Sequence, residues 1–268
     1  MANSHTTPIQ IGFGINTQGF FSYEDPANLQ TLVIFVHGFG GNSIGTWDGF
    51  PALSVSDNSF RFCDIVYYGY DTFKGQAGDH AAELYAFINS VINPLKNKIL
   101  PANQNLKERK YARLILVAHS LGAILARQAQ LLGEIANKEW VLNSQLALFA
   151  PAHHGAEVVP LAKEALSGIL GFMAIFAKFR FPILTDLSAD DDGIIKSIKA
   201  QTEKLQDAGK GDFSKAKLVV YAKGDLVVKS YPYLQDAPPH VIHGVSHTSV
   251  CKPNNQFLTP LELLKQII

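Results

Sequence analysis

Apolar runs of strand length punctuate the chain: Thr31–Val36 (TLVIFV), Asp64–Tyr70 (DIVYYGY), Ala112–Ala118 (ARLILVA), Gln145–Ala150 (QLALFA) and Ala216–Ala222 (AKLVVYA). They are rich in β-branched and aromatic residues and lack polar alternation, the pattern of strands buried on both faces. Such strands belong to a parallel sheet covered by helices, because an antiparallel sheet with one wet face would alternate apolar and polar positions. Helical spacing fills the gaps. It is found from Asp79 to about Leu100, with Ala82, Tyr85, Ala86 and Ile88 on one face, over Leu121–Leu132, and around Glu203. The predicted fold class is α/β, a mostly parallel sheet with helices on both faces, in one domain over residues 1–268. About 65 residues separate QLALFA from AKLVVYA, far more than a crossover helix needs. Residues 156–200 are therefore expected to form a cap inserted in the domain. Its apolar part, LSGILGFMAIFAKFRFP, either packs onto the core or lines an acyl pocket, and in the second case it offers a surface for peripheral membrane contact.

Charge narrows the partners. The chain has 23 Lys plus Arg against 23 Asp plus Glu, so no broad cationic surface is available for nucleic acid. The longest uncharged apolar run, Ala165–Ala177, falls short of the roughly 20 residues of a membrane-spanning helix. Two cysteines, Cys63 and Cys251, make no disulfide framework and no metal-ligand spacing. The start has no basic stretch followed by an apolar one, so a cytoplasmic location is the expectation. Asp190–Asp192 reads as a solvated turn or helix start, and no metal site is predicted.

The chemistry concentrates where ARLILVA runs through His119, Ser120, Leu121 and Gly122 into a helix. Small residues two before and two after the serine allow a sharp strand-to-helix turn that lifts its oxygen above the sheet edge, a nucleophile elbow with Ala118 in place of the first glycine. Ser120 needs a base, and the base needs an acid to hold its tautomer. On such elbows the order along the chain is nucleophile, acid, base. His247, in a loop after the strand-like HVIH, is the candidate base, with His243 as the alternative. Asp225, just past AKLVVYA and 22 residues before His247, is the candidate acid, with Asp186 as the alternative. An oxyanion would be met by the N–H of Leu121, at a helix start, and by that of Phe39 in the glycine-rich loop after TLVIFV. That loop lacks the spacing of a nucleotide-binding turn.

FVHGFGG with NSIGTW downstream, the elbow AHSLG, PAHHG at 151–155 and the closing SHTSVCKP together resemble the α/β-hydrolase superfamily, and within it the serine esterases and lipases of the PGAP1-like and SERAC1-like group. The motifs span Val33 to Pro253, nearly the whole chain. The resemblance implies a triad of Ser120, Asp225 and His247, an oxyanion hole at Phe39 and Leu121, and no cofactor. Where the family has Thr-Pro-His, this chain reads Ala150, Pro151, Ala152, His153, His154, so either histidine contacts substrate or orders the loop. His37 and His119 are further candidates for substrate contact. The expected activity is hydrolysis of a small-molecule or lipid carboxylic ester through an acyl-enzyme. The alternatives are a thioesterase or amidase with the same triad, and a hydrolase-like effector domain that is non-catalytic or activated in an assembly.

Overall fold

The computed structural model describes residues 4–25, 28–92, 109–154 and 193–268. Eight strands form one sheet: β1 (Ile9–Gln10), β2 (Gln18–Phe20), β3 (Thr31–Val36), β4 (Cys63–Tyr68), β5 (Arg113–His119), β6 (Ser144–Phe149), β7 (Leu218–Ala222) and β8 (His240–Ile242), in the order β1-β2-β4-β3-β5-β6-β7-β8. From β4 to β8 all neighbours are parallel, and β1 and β2 add an antiparallel ribbon at one edge. The five apolar runs supply β3 to β7. Every position of β3 and β4 is buried, as the absence of polar alternation demands. Strand β5 continues one residue beyond the predicted run, so that His119 still pairs with Phe149 and Ser120 is the first residue off the sheet. The antiparallel ribbon is absent from the sequence reading because two- and three-residue strands leave no periodic signal.

Among the described residues five α-helices accompany the sheet: α1 (Phe50–Ser56), α2 (Ala77–Ile92), α3 (Leu121–Ile135), α4 (Ile194–Asp207) and α5 (Thr259–Lys265). The buried face of α2 overlaps the predicted one only at Ile88 and the half-buried Tyr85. Ala81, Leu84, Phe87, Ile88 and Val91 turn inward, while Ala82 and Ala86 are exposed. The stripe with the larger side chains wins because burial free energy scales with apolar area. Residues 93–100 of the predicted helix, Asp186, Asp190–Asp192 and positions 156–192 of the expected cap lie outside the described residues. The end of that insertion forms the start of α4, whose Ile198, Thr202 and Gln206 are buried and which packs on α3.

An ion pair closes the ribbon edge. Asp64, fully buried on β4, accepts from Arg109 Nη1 at 2.5 Å, from Tyr111 Oη at 2.7 Å and from the Ser22 amide at 2.9 Å. Arg109 also donates to the Ser22 carbonyl at 2.8 Å. Removing one partner strands the other charge in an apolar setting. Arg109→Ala is therefore expected to lower the unfolding free energy by about 3–5 kcal/mol, measured by urea denaturation.

Candidate active site

The register of the central strands decides which loops meet. Val36 pairs with Ala118 across β3 and β5, and Ala118 with Leu148 across β5 and β6, so the segments after Val36, His119 and Phe149 leave the same sheet edge side by side. Ser120 takes φ 53° and ψ −119°, a positive-φ conformation that a non-glycine residue adopts only when its surroundings over-determine it. Three backbone hydrogen bonds do so. The Ser120 N–H donates to Phe149 O at 3.0 Å, and Ser120 O accepts from Ala123 at 3.1 Å and from Ala152 at 3.3 Å. Gly122 is required by close approach, because a Cβ there would lie 2.3 Å from the Val36 carbonyl oxygen.

The turn delivers Ser120 Oγ to within 2.9 Å of His247 Nε2, and His247 Nδ1 lies 2.9 Å from Asp225 Oδ2. The side chains of His247 and Asp225 are almost wholly buried. A carboxylate only accepts, so Nδ1 carries the proton and Nε2 presents a lone pair to the serine hydroxyl. Asp225 reaches this place through a turn at Gly224, whose φ of 75° suits glycine. Its Oδ1 accepts from the amides of Val227 at 2.8 Å and Val228 at 3.1 Å. Burial pushes its carboxyl up, but the His247 hydrogen bond and charge and the two amides outweigh that, and the group ends below the usual carboxylate range. The alternative base His243 stands exposed just past β8.

Leu121 opens α3, so its N–H belongs to the first turn, which has no intrahelical acceptor and sits at the positive end of the helix dipole. The loop bearing Phe39 passes against the elbow, and a Cβ on Gly38 would lie 2.8 Å from Ser120 Cβ. Thr72 Oγ1 holds the Gly40 amide at 3.1 Å, and the Phe39 ring meets Phe73 edge-on at 5.5 Å.

The four remaining candidate histidines are tied into the scaffold to different degrees. His37 is buried and stacked on Tyr70 with ring centroids 4.3 Å apart. Its Nδ1 faces Gly38 O at 2.9 Å, and Nε2 accepts from the Tyr70 amide at 3.3 Å. Neither nitrogen is left for substrate, and burial pushes its pKa down to about 4. His119 donates from Nε2 to the backbone carbonyl of His247 at 2.9 Å, tying the base loop to the elbow. Burial, then the neighbouring His247, lowers its pKa to about 3. His153 is also buried. Its Nε2 accepts from Arg127 Nε at 3.3 Å and its ring packs on Tyr233 at 4.2 Å. Arg127 in turn pairs with Asp236 at 2.7 Å and donates to the Ser214 carbonyl, so this cluster fastens α3 to the segments around β7. His154 is the more open of the pair, 3.3 Å from Tyr231 O. Sequence reasoning passed over Arg127 and Asp236, although a lone arginine inside the apolar helix stretch LGAILARQAQLL was the available signal. Cys63 and Cys251 are free and buried, and burial pushes both thiols up to about 12. Among the described residues no three His, Cys, Asp or Glu side chains group to hold a metal ion, and no helix is long and apolar enough to cross a membrane.

No protein-family model matches the sequence, and no curated protein sequence matches it either. Solved structures do. A lipase of Bacillus licheniformis in its mature form superposes with a TM-score of 0.60 at 18% identity, over 94% of this chain and 99% of the other. A 2-hydroxy-6-oxo-6-phenylhexa-2,4-dienoate hydrolase from Rhodococcus gives 0.53 at 13% identity, over 98% and 99%. Naproxen esterase from Bacillus subtilis gives 0.52 at 12% identity, over 99% and 92%. The chain has the α/β-hydrolase fold. In this chain Ser120 stands on the turn that follows the central strand β5, and His247 on the segment that follows β8.

Proposed function

We propose that the protein is a serine carboxylic-ester hydrolase, an esterase or lipase. The observation that carries this is the chain of two 2.9 Å contacts from Ser120 Oγ through His247 to Asp225. A binding module has no physical need for a strained serine aligned with a buried imidazole and carboxylate, which favours the enzymatic reading. The neighbouring structures described as a lipase and an esterase agree with it.

In this reading Ser120 Oγ attacks the ester carbonyl carbon while its proton passes to His247 Nε2. The carbonyl oxygen becomes an oxyanion held by the N–H groups of Leu121 and Phe39. His247 gives its proton to the leaving alcohol oxygen, the acyl C–O bond breaks, and an acyl-serine remains. Water then loses a proton to Nε2, attacks the acyl carbon and frees the acid, and the proton returns to Ser120. Asp225 stays ionised and stabilises the transient imidazolium. His37, His119 and His153 are buried in the scaffold, and their contacts fix the loops around the site. The motif resemblance supports placing the protein with the PGAP1-like and SERAC1-like esterases.

The test is covalent. A fluorophosphonate incubated with the folded native protein is expected to add one phosphonyl group, located by peptide mass spectrometry on Ser120. A folded, unlabelled protein would overturn the reading.

A further inference from the structure

Beside Ser120, the loop after β3 and the loop carrying His247 enclose a cavity of about 300 Å³, the volume of roughly ten waters. Its walls include Phe39, Gly40, Asn42, His119, Thr248 and Lys252. These positions fix its place relative to the triad: Thr248 follows the base, His119 precedes the nucleophile, and Phe39 is the oxyanion donor proposed above. The leaving oxygen must sit within hydrogen-bond reach of His247 Nε2 to take its proton, so the alcohol portion of an ester lies on the His247 side of the serine. Thr248 and Lys252, from the loop that carries His247, form one wall of the cavity.

Its electrostatics are one-sided. Lys252 is the sole formally charged side chain in the lining, and among the described residues no carboxylate forms an ion pair with it. His119 forms a neutral wall, with Nε2–H committed to the His247 carbonyl. The remaining wall is glycine, amide and hydroxyl. An unpaired cation in a partly enclosed polar recess attracts an anion more strongly than it would in open water.

We propose that this cavity is the leaving-group subsite and that Lys252 selects esters whose alcohol portion carries an anionic group, a carboxylate or a phosphate. The inference rests on the serine-hydrolase reading and leaves its bond changes as they are.

Two esters with the same acyl group test it, 2-nitrophenyl butanoate and 3-butanoyloxy-4-nitrobenzoate, whose leaving groups differ by one carboxylate. The readout is the ratio of kcat/KM for the anionic ester to that for the neutral ester, taken within one preparation so that the active fraction cancels. Lys252→Met is expected to lower this ratio by about tenfold relative to the native protein, Lys252→Glu to lower it further, and Lys252→Arg to keep most of it. The native preference should also shrink as salt is raised, which the methionine variant should not show. A ratio unaltered in Lys252→Met overturns the subsite. Absence of turnover with both esters, or of a phosphonyl adduct on Ser120, overturns the hydrolase reading and the subsite with it.

Discussion

Ser120→Ala is expected to lower ester turnover by about 10⁶-fold, and Asp225→Asn by about 10⁴-fold, with KM little changed in both. The alanine variant loses the attacking atom. The asparagine variant keeps every heavy atom and loses a proton arrangement. In the native site Asp225 Oδ1 is committed to the Val227 and Val228 amides, and Oδ2 faces His247 Nδ1. An asparagine would keep its oxygen on the two amides, because they only donate, and would turn its NH₂ toward Nδ1. The imidazole must then carry its proton on Nε2, where it can no longer accept from Ser120. Steady-state kcat for a matched p-nitrophenyl ester measures both. An asparagine variant within tenfold of the native rate would remove Asp225 from the proposed triad.

Acidification should unfold the protein well before its carboxylates titrate. Burial pushes His37 to about 4 and His119, next to His247, to about 3, whereas both titrate near 6.5 in the unfolded chain. Their folded forms therefore bind fewer protons than the unfolded chain at any pH between those limits. The stability they contribute is complete above pH 6.5 and is lost as pH falls toward the folded values. Over the two units from pH 6.5 to 4.5 the pair withdraws about 5 kcal/mol, comparable with the whole stability of many domains. His5 and His153 are shifted by burial in the same direction and add to the loss. Urea midpoints at pH 7.5, 6.0 and 5.0 would show a steep decline. A flat profile would mean that these rings accept protons without leaving their pockets.

The five central strands and the elbow were legible because each leaves a dense local mark: uninterrupted β-branched runs, and small residues flanking Ser120. Order along the chain proposed the loop partners of Ser120, and in the structure His247 is buried against Ser120 while His243 stands in solvent. The face of α2 was read only in part because Ala82 and Ala86 are spaced as acceptably as the residues buried beside Ile88; neighbours, not spacing, choose between them. Asp64, Arg109, Arg127 and Asp236 were invisible as pairs. Even Arg127, conspicuous in its apolar helix, does not name its partner, and partners 45 and 109 residues away are set by topology alone. The cavity beside Lys252 belongs to the same class, since it exists only where two loops separated by some 200 residues face each other.

The sheet ends on one side in the two-residue β1 and on the other in the three-residue β8. An open sheet with a long, flat border offers its unpaired amides and carbonyls as a template for strands of other molecules, the first step toward fibrils and precipitates. Here the central strands, rich in the residues that such stacking favours, are screened by flanks too brief to recruit a neighbour. A chain that is 47% hydrophobic thereby keeps its most adhesive segments out of intermolecular reach.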